Sequence, residues 1–339
     1  HIKSETPLDI EDVSSYTLTM SALDRVKADT LRGDVFGGLT AAVVSLPMAL
    51  TLGAVSGAGP QAGLTGAVLV GLFAALFGGT RTLISEPTGP MTVVMTAVIT
   101  RMIATNPENG LAMAFTVVMV AGVFQMALGA LKLGRYITLM PYSVISGFMS
   151  GIGVLLILTQ IAPMLGHPTP SGGVPGLITA LPRLLGSIQL GEVLLAAASL
   201  VLLFAVPRRV RRIVPPPLLA VVVGTVIAVI LIPEGSYRAI GAIPTGLPQI
   251  VMPRFTFGQI TQVLIDGGIL AVLGAIDSLL TAMISDSLTR ERHDSNRELI
   301  GQGLGNLFSG LFGGLPGAGA TMGTVVNIQS GARSPVAGI

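Results

Sequence analysis

Apolar runs of about 15 to 22 residues recur along this whole 339-residue chain, and each is the length that crosses a hydrocarbon layer of ~30 Å. A helix of that kind satisfies its own backbone N–H and C=O groups, so a chain made of such runs folds as a bundle of membrane helices. Ten segments can be read, roughly 35–55, 61–79, 90–104, 111–131, 143–163, 190–206, 217–233, 265–285, 299–313 and 320–331. The charge content agrees. Only 11% of the residues are charged and 51% are hydrophobic, too few charges to cover the two soluble domains that the length alone would suggest. The expected class is an all-α polytopic membrane protein.

Segments three and ten are too short for full spans. Each follows a Gly/Pro-rich stretch, Ser85-Glu86-Pro87-Thr88-Gly89-Pro90 and Gly313-Gly314-Leu315-Pro316-Gly317-Ala318-Gly319, and so reads as a half-helix reached by extended chain. With the N-terminus in the cytoplasm, every Lys and Arg falls on the inner side except Arg101, Arg183, Arg238 and Arg254. This bias sets the expected orientation in a plasma (inner) membrane, with Arg208-Arg209-Val210-Arg211-Arg212 as an orientation signal facing anionic lipid. Residues 1–32 are acidic and polar, without the basic and apolar regions of a cleaved signal peptide, and read as a cytoplasmic N-terminal segment.

Several function classes drop out. There is no Cys, and His1, His167 and His293 are the only histidines, which leaves no thiol catalysis, cysteine-ligated metal or haem. No cluster of nucleophile, base and metal ligands lies at one depth, so an enzyme is not expected, and 19 basic against 17 acidic residues is no footprint for nucleic acid. Glycine pairs four apart, Gly147/Gly151 and Gly301/Gly305, would let helices pack closely. The methionines are expected as core filler, and Asp286 with the loop from Arg290 to Glu298, His293 included, as a solvated cytoplasmic face.

The chain repeats itself. Leu72-Phe73-Ala74-Ala75-Leu76-Phe77-Gly78-Gly79 returns as Leu307-Phe308-Ser309-Gly310-Leu311-Phe312-Gly313-Gly314, Thr92-Val93-Val94 returns as Thr324-Val325-Val326, and Asp34 maps to Asp266. Seven segments separate the two starts, an odd number, so the second copy enters from the opposite side as an inverted repeat. The first copy would be 33–233 with segments 1–7. The second begins in 234–339 with segments 8–10 and would need four more, so a truncation within the membrane domain is expected.

Ionisable groups are scarce inside the expected hydrocarbon, and Asp277 is the clearest. A carboxylate there costs at least ~3 kcal/mol, so it faces protein or water and marks a functional site. Thr281 lies four residues on, on the same helical face. The half-helices beginning at Thr88-Gly89-Pro90 and at Ala320-Thr321 each present unpaired N–H groups and about half a positive charge, which together suit an anion. The carbonyls of Gly317-Ala318-Gly319-Ala320, the hydroxyls of Thr281 and Thr321 and the Asp277 carboxylate form an oxygen cage for a monovalent cation such as Na⁺, with a proton as the rival. Glu86, just before the first half-helix, is a weaker candidate for lining the inner vestibule.

Gly33-Asp34-Val35-Phe36-Gly37-Gly38-Leu39-Thr40-Ala41-Ala42, the Ser85-to-Val94 stretch, and Glu298-Leu299-Ile300-Gly301-Gln302-Gly303-Leu304-Gly305-Asn306 running on to Gly323 together resemble the SulP family of anion transporters. Within it the likeness is to the cyanobacterial-type sodium-dependent bicarbonate branch. The resemblance implies a seven-plus-seven inverted-repeat fold whose core moves against a gate in an elevator cycle. It also implies a C-terminal STAS domain, absent here, that supports a homodimer. By the same resemblance Thr88, with Gly89 beside it, and the backbone at Ala320 and Thr321 would contact bicarbonate, while Asp277, Thr281, Gly319, Ala320 and Thr321 would surround Na⁺. No cofactor is implied beyond this coupling ion.

The expected function is therefore sodium-coupled uptake of bicarbonate. The alternative is a proton-coupled or exchanging carrier of sulfate or another small anion, because helix dipoles read charge and size and do not identify the anion. A passive channel would gain nothing from a lone buried carboxylate.

Overall fold

The computed structural model describes residues 30–137, 142–168, 170, 173–207, 210, 216–233, 237, 248, 250–254 and 257–339. All but the last three residues of the expected 1–32 segment, and the arginines of the basic run at 208–212, lie outside that set.

Each of the ten expected segments is a helix. Helix α1 spans Leu31–Ser56 and ends at Gly57, whose φ of 83° is a left-handed turn that favours glycine. Helix α2, Pro60–Phe77, starts on a proline whose missing N–H costs nothing at that position. The strand β1, Ser85–Glu86, leads into α3, Gly89–Thr105, and then α4, Gly110–Ala130. A short α5, Gly134–Ile137, is followed by α6 at Tyr142–Met164, α7 at Gly173–Gly186, α8 at Leu190–Ala205 and α9 at Pro216–Leu231. The second set is α10 at Ile260–Thr289, α11 at Ser295–Leu311, the strand β2 at Ala318–Gly319 and α12 at Thr321–Gln329. Among the described residues, α1, α2, α4 and α10 are long and apolar enough to cross a membrane, whereas α3 and α12 have 17 and 9 residues.

Helix α7 was not among the expected segments. Its sequence carries Pro175, Pro182 and Arg183 and breaks the apolar run, yet Leu177 and Leu184 bury against Ala162 at the end of α6. From Pro175 on, α7 meets α8 at a bend of 112°. Helix α8 has no buried residue, and Phe204 on it is 79% exposed, as suits a surface turned to lipid.

The core lies between α3, α4 and α10, where Met91, Met95, Met113 and Leu270 are fully buried. The flexible thioether side chains of Met91, Met95 and Met113 fill it, whereas Met48, Met164, Met252, Met283 and Met322 are exposed, so the expectation of methionine as core filler holds only in part. Helix α4 lies against α11 at backbone distance, since a Cβ added at Gly122 would fall 2.5 Å from the Leu307 nitrogen and one at Gly310 2.7 Å from the Phe115 carbonyl oxygen. Of the two glycine pairs singled out by spacing, Gly301 and Gly305 abut Gly78 and Val70. At Gly147 and Gly151 a Cβ would meet nothing within 4 Å, so among the described residues the expected close packing is not seen there.

Equivalent positions of the two sequence copies touch each other. Phe73 and its counterpart Phe308 stack at 4.2 Å with planes 3° apart, and Gly305 lies against its counterpart Val70. At the far ends of the half-helices, the Asp34 carboxylate accepts hydrogen bonds from the Arg333 and Ser334 N–H groups at 2.6 and 2.8 Å, and from the Ser334 hydroxyl at 2.6 Å. Its counterpart Asp266 is paired with Arg101, the counterpart of Arg333. Strands β1 and β2 pair antiparallel, Ser85 with Gly319 and Glu86 with Ala318. Such exchanged contacts are what two copies related by a two-fold axis make.

Candidate functional site

The antiparallel strand pair holds the two helix breaks side by side, and from it α3 and α12 begin. The residue before each helix, Thr88 and Ala320, has extended backbone, and neither makes a side-chain cap. Ordinarily a capping oxygen takes one of the first N–H groups of a helix. Among the described residues, the first-turn N–H groups of both helices have no side-chain acceptor, and their partial positive charge stays available to a ligand.

Both helix starts rest on α10, one turn apart. The Thr88 hydroxyl donates to Asp277 Oδ2 at 2.7 Å. Four residues on, the Thr281 hydroxyl donates to the Gly319 carbonyl at 2.9 Å and lies 3.0 Å from the Thr321 hydroxyl. Because Thr281 has only one hydrogen and it goes to the carbonyl, Thr321 is the donor of the second bond. The Gly319 N–H donates to the Ser278 hydroxyl at 3.1 Å. A Cβ at Gly319 would meet the Ser278 Cα and the Thr281 Cβ at 3.1 Å each, so glycine sets how closely the extended chain approaches α10.

Thus Thr88, Asp277, Thr281, Gly319 and Thr321 come together, flanked by Gly89 as the first residue of α3 and by Ala320. Asp277 is buried and, among the described residues, has no ion-pair partner. Thr321 is exposed, so the site has an open side. The oxygens brought together are one carboxylate, one backbone carbonyl and three hydroxyls, hard ligands that suit an alkali cation or a proton, while two helix N-termini face the same region and suit an anion.

A second set of polar residues holds this geometry and was not given a role from sequence. Asn306 on α11 grips Gly317 at both ends, accepting from its N–H at 2.8 Å and donating to its carbonyl at 2.9 Å. The same amide donates to Gln125 Oε1 at 2.7 Å. Gln302 donates to the Ser85 hydroxyl at 2.6 Å and to Glu298 Oε1 at 2.9 Å. Gln125, a lone amide in an apolar run, is the sequence signal that could have revealed this network.

Glu298 corrects an expectation. It is not on a solvated face but fully buried, and its Oε2 accepts the N–H groups of Gly79 and Thr80 at 2.9 Å each. His293 likewise is mostly buried, held by Asp286 at 2.7 Å and by Ser295 at 2.9 Å. Glu298 looks solvated in the sequence because its backbone partners, in the α2–β1 turn, lie 219 and 218 residues away. Glu86 does not join the cage. It lines a separate cavity of about 400 Å³ with Asp34 and Ser45, between α1, α2 and the segment from Val336 to Ile339.

The likeness of this chain to known proteins extends over nearly its whole length. The sulfate permease family matches residues 31–339. The chain belongs to that family. It is 58% identical over 324 residues to the bicarbonate transporter BicA of Picosynechococcus sp. and 57% identical over 320 residues to BicA of Synechocystis sp., covering 94% of this chain each time. It is 34% identical over 313 residues to the putative sulfate transporter YvdB of Bacillus subtilis. The chain spans 57% of the length of each of these relatives. The solved transmembrane domain of a cyanobacterial BicA superposes with a TM-score of 0.88 at 57% identity, over 93% of this chain and 81% of that one. The SLC26A9 structure, at 19% identity, shares the fold with a TM-score of 0.79. The relatives are transporters, not enzymes, and the fold is that of a helical membrane domain.

Proposed function

We propose that this chain carries the ion-binding core of a sodium-coupled bicarbonate transporter of the plasma membrane. The observation that carries the reading is the meeting of two uncapped helix starts with Asp277 and Thr281 on one helix. The bicarbonate anion lies before the N-termini of α3 and α12, held by Thr88, Gly89 and the backbone at Ala320 and Thr321. Na⁺ lies in the cage of Asp277, Thr281, Gly319, Ala320 and Thr321. A cation beside the anion favours it by about 3 kcal/mol for unit charges ~5 Å apart at an effective dielectric of ~20. Binding is thereby coupled without any Lys or Arg in the site. The core then moves against the remaining helices in an elevator cycle, and in the whole protein a C-terminal STAS domain supports a homodimer.

The anion is supported by the two relatives named as bicarbonate transporters, which are far more similar than those named as sulfate transporters. The test is uptake of labelled bicarbonate and of labelled sulfate into proteoliposomes, with an inward sodium gradient or with choline at constant pH. Bicarbonate uptake that collapses in choline is expected. Sulfate uptake indifferent to sodium would replace this reading with an anion carrier in which Asp277 binds a proton.

A further inference from the structure

The two halves of the site meet at Thr88. A threonine hydroxyl has one hydrogen to give and two lone pairs with which to accept. Here the hydrogen goes to Asp277 Oδ2. Thr88 is also the residue before the first turn of α3, where a threonine ordinarily turns its oxygen to the second or third N–H of its own helix. It makes no such bond. The hydroxyl has left the helix end for a carboxylate on another helix. While it stays there, nothing in front of the α3 N-terminus has the use of its hydrogen.

We infer that Thr88 is a hand-off donor: a cation arriving at Asp277 releases the hydroxyl, which turns to the anion in front of α3. This rests on the cation and anion positions proposed above and adds the step by which one raises the affinity for the other. A carboxylate oxygen that shares its charge with a cation is a weaker acceptor, and the anion is then the strongest acceptor in reach. One rotation between staggered χ1 wells redirects a hydroxyl. By linkage, an anion that takes the hydrogen exposes Asp277 to the cation by the same factor.

The consequence separates this role from plain anion contact. Without an anion, the Thr88 hydroxyl competes with the cation for Asp277. Removing it should tighten sodium binding, whereas loss of a mere anion ligand leaves sodium binding unchanged.

The experiment is calorimetric titration of the purified full chain with sodium, with and without bicarbonate, for wild type, Thr88→Val and Thr88→Ser. Thr88→Val keeps the shape and lacks the hydroxyl. It should bind sodium about threefold more tightly than wild type in the absence of bicarbonate, and bicarbonate should no longer tighten it. Thr88→Ser should restore wild-type behaviour. If Thr88→Val does not fold, Thr88→Ala removes the same hydroxyl and carries the same two expectations. A hydroxyl-free variant with wild-type sodium affinity and intact coupling overturns the hand-off and leaves the two ion positions standing. A wild-type protein that binds no sodium overturns those positions.

Discussion

Asp277 and Thr281 sit one helical turn apart, and the proposed cation site gives each of them a separate test. Asp277→Asn keeps the size and removes the charge, so sodium-driven uptake should fall to background while the protein still folds; retained sodium stimulation in proteoliposomes would sink the assignment. Thr281→Val leaves the Gly319 carbonyl and the Thr321 hydroxyl without their partner and removes one cage oxygen. The sodium KM should rise about tenfold, the equivalent of ~1.4 kcal/mol, measured as uptake against sodium concentration. Asp277 was legible in the sequence because a charge in an apolar run has few explanations. Its bond to Thr88 was not, because the two residues are 189 positions apart and nothing in the local pattern of either reveals the other.

At the scale of elements, the half-helices depend on what holds their extended approaches. Asn306 satisfies Gly317 on both sides and Gln125 as well, all in a buried place. Asn306→Ala should cost about 3 kcal/mol, since three buried groups lose their partner and water cannot replace it. A lowered unfolding temperature in detergent, with the sodium KM raised at the same time, is the expected result. Unchanged stability would show that water reaches Gly317. The break before α12 was readable from its glycines, whereas the helix α7 was not, because its prolines and Arg183 give it the composition of a loop. Its helical state comes from burying Leu177 and Leu184 beside α6.

For the whole molecule, the exchanged contacts join the two copies. Both carboxylates are buried, but Asp34 accepts three hydrogen bonds, two of them from backbone N–H groups, while Asp266 meets the Gln262 amide and an Arg101 side chain that is itself 48% exposed and can turn to solvent. Asp34→Asn should therefore destabilise the protein by about 2 kcal/mol and Asp266→Asn by less than ~1 kcal/mol, as denaturation midpoints would show. The expected orientation has its own test, helped by the absence of cysteine from these 339 residues. A membrane-impermeant thiol reagent on intact cells should label Glu108→Cys, after α3, and should reach Arg290→Cys, after α10, only once the membrane is opened. The reverse result would invert the topology.

The apolar segments, the two breaks before α3 and α12, the internal repeat and the buried carboxylate were legible along the chain, because membrane thickness and the cost of an unpaired charge act on each short stretch independently. Which faces pack and which polar groups meet followed from the assembled helices alone. A membrane helix is apolar both where it touches lipid and where it touches protein, so hydropathy does not mark its packed face. The bonds of Thr88 to Asp277, Asn306 to Gln125 and Asp34 to Ser334 join residues up to 300 positions apart, and those partners exist only once the helices have been brought together.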